Sequence, residues 1–226
     1  MLTRLIATSD QPVLWLQQLR QDPFIAVIRH RDPNLALKMA QLALEAGLNQ
    51  IEITSTVPQF AELIATLRRW HQRPAWIGAG TLTSQDSTTQ ALAAGAEFWV
   101  SPIRDPTLTQ VAQEAGIPVV MGGLTPTEIW QAHQLGATAV KVFPVVAMGG
   151  ASYLQQLRQP LAGIPLIPTG GVTLDNAGSY LRAGAMAVGI GSDLFPPEWL
   201  EQEDWGAIRQ RIEVGIHSLR ASQTTF

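Results

Sequence analysis

The amino-acid sequence predicts an α/β protein, a (β/α)8 TIM barrel with one extra helix at its N-terminus. Three observations support this prediction: a helix–glycine–strand pattern recurs, the strands are short and apolar throughout, and polar residues collect where strands end. Strands that are apolar throughout are typical of parallel sheets buried on both faces. Eight strand–helix units in a chain of 226 residues therefore indicate a compact barrel.

The recurring unit is an amphipathic helix that ends in a small residue and a glycine, followed almost at once by a strand. Glycine at this point adopts the left-handed conformation that ends a helix. Successive glycines are 20 to 27 residues apart, except for one 48-residue interval that has room for two units. The six glycines are Gly47, Gly95, Gly116, Gly136, Gly163 and Gly184.

Eight strands follow from this pattern, six after these glycines and two as separate apolar segments. The predicted strands cover residues 24–29, 50–53, 75–80, 97–100, 118–121, 138–143, 165–168 and 186–190. A doubly wound open sheet is the alternative fold. It normally has a glycine-rich turn after its first strand, whereas this turn reads Arg29-His30-Arg31-Asp32-Pro33.

Two further helices flank the predicted barrel. Residues 9–12 read as a cap and an early proline, and they predict a helix with Val13, Leu16 and Leu19 on one face. A last helix spaces its apolar residues by three and four, at Trp205, Ile208, Ile212, Ile216 and Leu219. We expect both helices to serve packing in a single domain, residues 1–226, with the barrel proper at about 23–200.

Composition argues against several classes of protein. A net charge of −3 with scattered arginines makes nucleic acid an unexpected partner. The absence of cysteine excludes disulfides and thiolate chemistry, and the four histidines lack the spacing of metal ligands. With no signal peptide and no apolar stretch of about 20 residues, the sequence predicts a cytoplasmic protein with no membrane contact.

Lys141 is the first candidate catalytic residue. It is one of two lysines, beside thirteen arginines, and it lies in the apolar segment at residues 139–144. Burying an ammonium group without a partner costs several kcal/mol, so a lysine in a core strand needs a reason. A neutral amine in dry surroundings can attack a carbonyl to form a Schiff base. A purely structural lysine would instead lay its stem over apolar surface and keep its charge in water.

Glu52 is the second candidate, because a carboxylate lies here between the core residues Ile51 and Ile53. If Glu52 stood alone, an ion pair with an arginine would be the simplest explanation. With Lys141 in the same barrel interior, Glu52 becomes the residue that would hold the lysine and shuttle the protons of a Schiff-base reaction.

Polar residues and glycines follow most of the predicted strands, where barrel enzymes have their active sites. The glycines after the seventh and eighth strands lie at the usual phosphate position of such enzymes, since glycine lets backbone N–H groups close on an anion. Thr81, after the third strand, is a candidate to hydrogen-bond a substrate carboxylate. Asp193 is expected to cap the last short helix rather than to take part in chemistry.

Taken in order, these motifs resemble the family of 2-keto-3-deoxy-6-phosphogluconate (KDPG) and 4-hydroxy-2-oxoglutarate (KHG) aldolases. The resemblance covers about residues 23–195, nearly the whole predicted barrel. It rests on Ala26-Val27-Ile28-Arg29, Glu45-Ala46-Gly47, Ile51-Glu52-Ile53, Gly78-Ala79-Gly80-Thr81, Ser101-Pro102, Lys141-Val142-Phe143-Pro144, Pro168-Thr169-Gly170-Gly171 and Gly191-Ser192.

The resemblance implies class I aldol chemistry on a small keto acid. Lys141 would form the Schiff base and Glu52 would be the general acid/base. Substrate contacts are implied for Arg29, Thr81, Pro102, Phe143 and Thr169, and phosphate contacts for Gly170, Gly171, Gly191 and Ser192. The resemblance also implies a homotrimer that needs no metal and no organic cofactor.

One position departs from the family's pattern. The gluconate enzymes typically carry an arginine four residues after the glutamate, where it clamps the pyruvyl carboxylate, and that position here is Thr56. The galactonate-specific relatives lack the same arginine and rely on one at the end of the first strand, which Arg29 matches. A guanidinium binds a carboxylate bidentately, so Arg29 can supply the missing charge.

We therefore expect cleavage of KDPG or KHG to pyruvate and an aldehyde, glyceraldehyde 3-phosphate or glyoxylate. The galactonate isomer of the phosphorylated substrate is the nearest alternative. A phospho-sugar epimerase or a thiamin-phosphate-type synthase would keep the barrel, but the sequence lacks the matching histidine or aspartate pattern. A non-catalytic barrel that binds phospho-ligands is the remaining alternative, and only Thr56 supports it.

Overall fold

The structure is a computed structural model that describes residues 10–70 and 74–223. Eight parallel strands alternate in it with helices. The strands are β1 Phe24–Ile28, β2 Gln50–Thr54, β3 Trp76–Gly80, β4 Trp99–Val100, β5 Val119–Gly122, β6 Ala139–Val142, β7 Leu166–Pro168 and β8 Val188–Ile190.

Helices occupy the connections between the strands and both flanks. They are α1 Gln11–Gln21, α2 Pro33–Glu45, α3 Phe60–Trp70, α4 Gln85–Ala93, α5 Pro106–Glu114, α6 Pro126–Gln134, α7 Gly150–Arg158, α8 Leu174–Arg182, α9 Pro197–Glu201 and α10 Trp205–Gln223. Short 3-10 helices cover Val146–Met148 and Ser192–Leu194. Within the described residues no helix is long and apolar enough to span a bilayer.

The sheet closes into a barrel. Neighbouring strands follow chain order from β1 to β7, and β8 pairs with β1 on its other side. A parallel bridge between Thr169 and Gly189 joins the end of β7 to β8 and completes the circle. The predicted barrel is thereby confirmed. The doubly wound alternative is wrong, because the strand order of such a sheet reverses at a switch point.

The helix-ending glycines have the predicted conformation. All six have positive φ angles, between 67° and 95°. Gly47, for example, follows Ala46, the C-terminal cap of α2, and Gly184 follows Ala183 in the same way after α8. A residue with a Cβ is disfavoured at such angles, so the glycine ends each helix and allows the chain to turn into the next strand.

The strands are shorter than predicted at several ends, most clearly for β4. The prediction began that strand at Glu97, whereas its ladder holds only Trp99 and Val100. The Glu97 carboxylate instead accepts a hydrogen bond of 3.0 Å from the backbone N–H of Ile77. The Glu97 N–H donates to the Ile77 carbonyl at 2.8 Å, so Glu97 contacts β3 through both its backbone and its side chain, although the regular strand begins at Trp99.

The extra helix α1 closes the N-terminal end of the barrel. The Trp15 ring stacks on that of Phe98 with centroids 5.1 Å apart, and Trp15 Nε1 donates a 2.9 Å hydrogen bond to Gln50 Oε1. Trp15 and Leu19 are fully buried, whereas Val13 is 56% exposed. The prediction of Val13 on the packed face was wrong, because the face that packs against the barrel floor is the one that carries Trp15 and Leu19.

The apolar face predicted for the last helix is confirmed. Ile208, Ile212 and Ile216 of α10 are buried in the outer layer of the core. Near the end of this helix, Arg220 donates a 2.7 Å hydrogen bond to Asp22, the residue that follows α1. The first and last helices are thereby linked at the N-terminal face of the barrel.

We expect Trp15→Ala to lower the free energy of unfolding by about 3–5 kcal/mol, because it leaves a cavity in the barrel floor and removes a partner of Gln50. Urea denaturation followed by far-UV circular dichroism measures this loss. Val13→Ala on the same helix is the matched control, and it should change stability by less than about 0.5 kcal/mol. Equal effects of the two substitutions would contradict the role of Trp15.

Candidate active site

Two opposite charges meet inside the barrel. Lys141 on β6 and Glu52 on β2 lie on strands four places apart in the eight-stranded order, so they face each other across the interior. Lys141 Nζ lies 3.8 Å from Glu52 Oε1, and the two side chains are only 7% and 3% exposed. This separation exceeds hydrogen-bond length, so the contact is an ion pair rather than a hydrogen bond.

The Glu52 oxygen nearest to Lys141 makes no hydrogen bond within the described residues. This atom, Oε1, is buried. A buried acceptor without a hydrogen bond is costly, which makes this oxygen a ready base for a proton that a ligand brings.

Gly80 on β3 makes room for that carboxylate. A Cβ atom at position 80 would lie 1.9 Å from Glu52 Oε1, closer than any real contact. The neighbouring strand therefore has to carry glycine here if the carboxylate is to occupy this position. The sequence alone placed Gly80 at the end of the third strand, and nothing in its pattern relates this residue to Glu52.

The carboxyl ends of the strands surround a cavity of about 400 Å³. Ten of the eleven predicted site residues line it: Arg29, Thr81, Pro102, Lys141, Phe143, Thr169, Gly170, Gly171, Gly191 and Ser192. Glu52, the eleventh, does not line the cavity and reaches it through its contact with Lys141. The cavity also includes Thr173 and Asp193, to which the sequence assigned no substrate contact.

Arg29 and Thr81 form one wall of this cavity. Arg29 donates a 3.1 Å hydrogen bond to Thr81 Oγ1, and Ser55 Oγ donates to the Thr81 carbonyl at 2.7 Å. Thr81 has a φ of 56°, a left-handed angle that costs a residue with a side chain on the order of 1–2 kcal/mol. Such strain is typical of functional sites, and here it places the hydroxyl beside the guanidinium.

Thr56 contributes no charge to the cavity. Its hydroxyl lies 2.9 Å from that of Thr54, whose Oγ1 in turn donates to the Ile28 carbonyl. Among the residues lining the cavity, Arg29 and Lys141 are the two that carry a positive charge. The position of Arg29 is therefore compatible with the expectation that it supplies the positive charge that Thr56 lacks.

Phe143 and Thr169 flank the lysine. The Phe143 ring centroid lies 5.7 Å from Lys141 Nζ, and the side chain is partly exposed at the mouth of the cavity. Thr169, on the end of β7, gains its space from Gly189, where a Cβ atom would come within 2.6 Å of the threonine hydroxyl. Both side chains are therefore placed where a ligand bound to the amine would meet them.

The loops after β7 and β8 present backbone donors to the cavity. Gly170 and Gly171 have φ angles of 88° and 80°, which only glycine adopts easily. No described residue accepts a hydrogen bond from the N–H groups of Gly170, Gly171 or Gly191. Asn176 Nδ2 holds the Gly171 carbonyl at 3.0 Å and so fixes the loop. Free N–H groups on a fixed loop suit an anion such as phosphate.

The expectation that Asp193 caps the last short helix was wrong. Asp193 lies inside the short 3-10 helix Ser192–Leu194, which has no side-chain cap. Its Oδ2 atom instead accepts a 2.8 Å hydrogen bond from the backbone N–H of Leu174, the first residue of α8. Its Oδ1 atom pairs with Arg211 of α10 at 2.8 Å. The sequence contained no signal for this pair, because Arg211 looks like an ordinary polar residue of a surface helix.

Comparison with known proteins gives the arrangement its context. The family model described as KDPG and KHG aldolase matches residues 16–211. The 2-dehydro-3-deoxy-phosphogluconate aldolase of Haemophilus influenzae is 31% identical over 94% of this chain and 99% of its own length. The 2-dehydro-3-deoxy-6-phosphogalactonate aldolase of Escherichia coli is 32% identical over 76% of this chain and 84% of its own length.

Solved structures agree with these relatives. A native KDPGal structure superposes with a TM-score of 0.79 at 28% identity, covering 90% of this chain and 97% of that one. The Legionella pneumophila KDPG aldolase, with pyruvate captured as a covalent carbinolamine intermediate, gives a TM-score of 0.78 at 27% identity over 87% and 95%. A thiamine phosphate pyrophosphorylase of Pyrococcus furiosus, 19% identical with a TM-score of 0.70 over 91% and 98%, shares only the fold. The chain belongs to the family of KDPG and KHG aldolases.

Proposed function

We propose that Lys141 and Glu52 are the Schiff-base lysine and the general acid/base of a class I aldolase that cleaves KDPG to pyruvate and glyceraldehyde 3-phosphate. One observation carries this proposal. A buried amine lies 3.8 Å from a carboxylate oxygen that accepts no hydrogen bond within the described residues, beside a cavity of about 400 Å³. Amine, base and ligand space are thereby combined in a dry barrel interior.

The first half of the reaction makes the electron sink. Glu52 takes a proton from the Lys141 ammonium group, and the neutral amine attacks the C2 carbonyl. The proton returns to the hydroxyl of the carbinolamine, which leaves as water and gives an iminium ion. Glu52, directly or through one water, takes the proton of the C4 hydroxyl. The C3–C4 bond then breaks, its electron pair moves into the iminium to form an enamine, and the aldehyde leaves.

The second half returns the enzyme to its starting state. Glu52 gives the proton it holds to C3 of the enamine, which becomes the pyruvate iminium. Water adds at C2, pyruvate leaves and Lys141 regains the ammonium group of the resting ion pair. Glu52 returns every proton that it accepts within the cycle, so a single carboxylate suffices.

The cavity walls supply contacts for the two ends of the substrate. Arg29 and Thr81, which are already hydrogen-bonded to each other, would bind the carboxylate next to the reacting carbonyl. The free N–H groups of Gly170, Gly171 and Gly191 would bind the phosphate, with Ser192 adding its hydroxyl. Thr169 would contact the substrate hydroxyls, and Pro102 and Phe143 would line the channel between both ends.

We expect borohydride with pyruvate to label Lys141. Reduction fixes the Schiff base as a stable adduct, which peptide mass spectrometry locates. The chain makes the experiment unusually clear, because Lys38 is its only other lysine. Lys38 lies on α2 near the Trp205 ring, outside the cavity, so Lys38→Ala is the matched control and should label as the wild type does. A wild-type protein that gives no adduct would contradict the mechanism.

Replacing Glu52 by Gln should lower kcat for pyruvate release by about 10²- to 10⁴-fold, since an amide cannot shuttle the proton. The same variant should slow the exchange of pyruvate methyl protons in D2O, a step that requires no aldehyde and that NMR follows directly. Glu62→Gln on the surface of α3 is the control and should leave both rates unchanged. Wild-type exchange in Glu52→Gln would exclude Glu52 as the base.

The galactonate isomer is a second candidate substrate, because Thr56 and Arg29 match the pattern of the galactonate-specific relatives. One pyruvate-release assay with KDPG, its galactonate isomer and KHG should decide, and we expect the highest kcat/KM with KDPG. A preference of tenfold or more for the galactonate isomer, about 1.4 kcal/mol in transition-state binding, would establish the alternative.

A homotrimer, implied by the resemblance, and a cytoplasmic location, predicted from the absence of a signal peptide and of a long apolar stretch, both stay predictions. Several large apolar side chains are exposed on the segments that run from β4 to α7: Ile103, Trp130, Phe143, Val146 and Met148. Contact with further copies of the chain would bury such surface, which supports the proposal of an oligomer.

A further inference from the structure

Asp193 presents a problem for a phosphate site. Asp193 lines the same cavity as Gly170, Gly171 and Gly191, the residues whose N–H groups would bind the phosphate. A carboxylate near a bound dianion repels it, and the repulsion is strong where water is largely excluded. An aspartate at this position therefore requires that its charge be neutralised.

The same carboxylate also has a structural task. It accepts the N–H of Leu174 at 2.8 Å and so joins the loop after β8 to the start of α8, the helix that follows the loop after β7. The two loops that would bind phosphate are thus connected through one side chain. Loss of the carboxylate would relieve the repulsion but would also break this connection between the two loops.

Arg211 of α10 can neutralise the Asp193 charge while the carboxylate keeps its hydrogen bond to Leu174. Its NH2 group donates to Asp193 Oδ1 at 2.8 Å, and its Nε donates to the Asp193 backbone carbonyl at 3.0 Å. The side chains are 29% and 19% exposed, so the pair is partly shielded from solvent. The guanidinium itself does not line the cavity, and it therefore acts on a ligand only through Asp193.

We propose that Arg211 is a positioning and specificity-determining residue for the phosphorylated end of the substrate, acting by neutralising Asp193. The inference rests on the proposed function, because it takes the loops after β7 and β8 as the phosphate site. It goes further in assigning a role to a residue of the outermost helix that contacts neither the substrate nor Lys141. Arg211 would act through its charge and not through packing.

Arg211→Gln should raise KM for the phosphorylated substrate that the wild type cleaves by about tenfold or more, because it leaves Asp193 charged and unpaired. The pyruvate concentration that gives half-maximal borohydride trapping of Lys141 should change far less, since pyruvate carries no phosphate. The ratio of the two effects is the measurement. Far-UV circular dichroism and the trapping itself report whether the variant is folded.

The double variant Asp193→Asn with Arg211→Gln distinguishes charge from packing. Asparagine retains an oxygen for the Leu174 N–H and carries no charge, so the double variant should reverse a substantial part of the increase in KM caused by Arg211→Gln. Arg211→Lys keeps the charge without the forked geometry, so its KM for the phosphorylated substrate should lie between those of the wild type and Arg211→Gln. A double variant whose KM is as high as that of Arg211→Gln, or higher, would overturn the electrostatic proposal.

Arg209→Gln is the matched control. Arg209 lies on the same helix and pairs with Glu213 at 2.7 Å on an exposed surface away from the cavity, so its loss should alter neither measurement. If Arg211→Gln weakened the binding of the phosphorylated substrate and of pyruvate equally, this inference would be contradicted. The proposed aldolase function would not be affected by that result. A wild type that forms no pyruvate adduct would contradict the proposed function itself.

Discussion

The ion pair between Lys141 and Glu52 is the constraint on which the rest of the site depends. Each charge would cost several kcal/mol if it were buried alone, so neither can occupy the barrel interior without the other. Their separation of 3.8 Å requires β2 and β6 to face each other, which only a closed sheet provides. The closed barrel is therefore what brings the two buried charges together.

Interior glycines turn a packed barrel into a cavity. Gly80 gives space to Glu52, and Gly189 gives space to Thr169, so side chains of the upper layer stand where neighbouring strands have none. Lower in the barrel Gly78 accommodates the Phe98 ring, which in turn stacks on Trp15 of α1. Large rings thus fill the floor while polar groups occupy the top. This division explains why the N-terminal helix is part of the barrel core although it lies far from the chemistry.

The sequence predicted the features that depend on local pattern. Gly47 and the similar glycines could be assigned because a helix end needs a positive φ at one position, and Lys141 because a charge in an apolar strand is conspicuous. Features that depend on distant contacts could not be predicted. Trp15 replaced Val13 on the buried face because the barrel floor demands a ring. Arg211 meets Asp193 across 18 positions of sequence, and only the packing of α10 brings them together.

The pair of Asp193 and Arg211 would also allow the proposed phosphate site, which has few cations, to hold a dianion. Two positive side chains line the cavity: Arg29 is hydrogen-bonded to Thr81, and Lys141 is paired with Glu52. A phosphate would then be bound chiefly by backbone N–H dipoles, whose partial charges are small, so a single uncompensated carboxylate nearby would offset them. Arginine suits the task better than lysine, because its planar fork contacts the Asp193 carboxylate and backbone carbonyl together and so neutralises the charge while holding the loop in place.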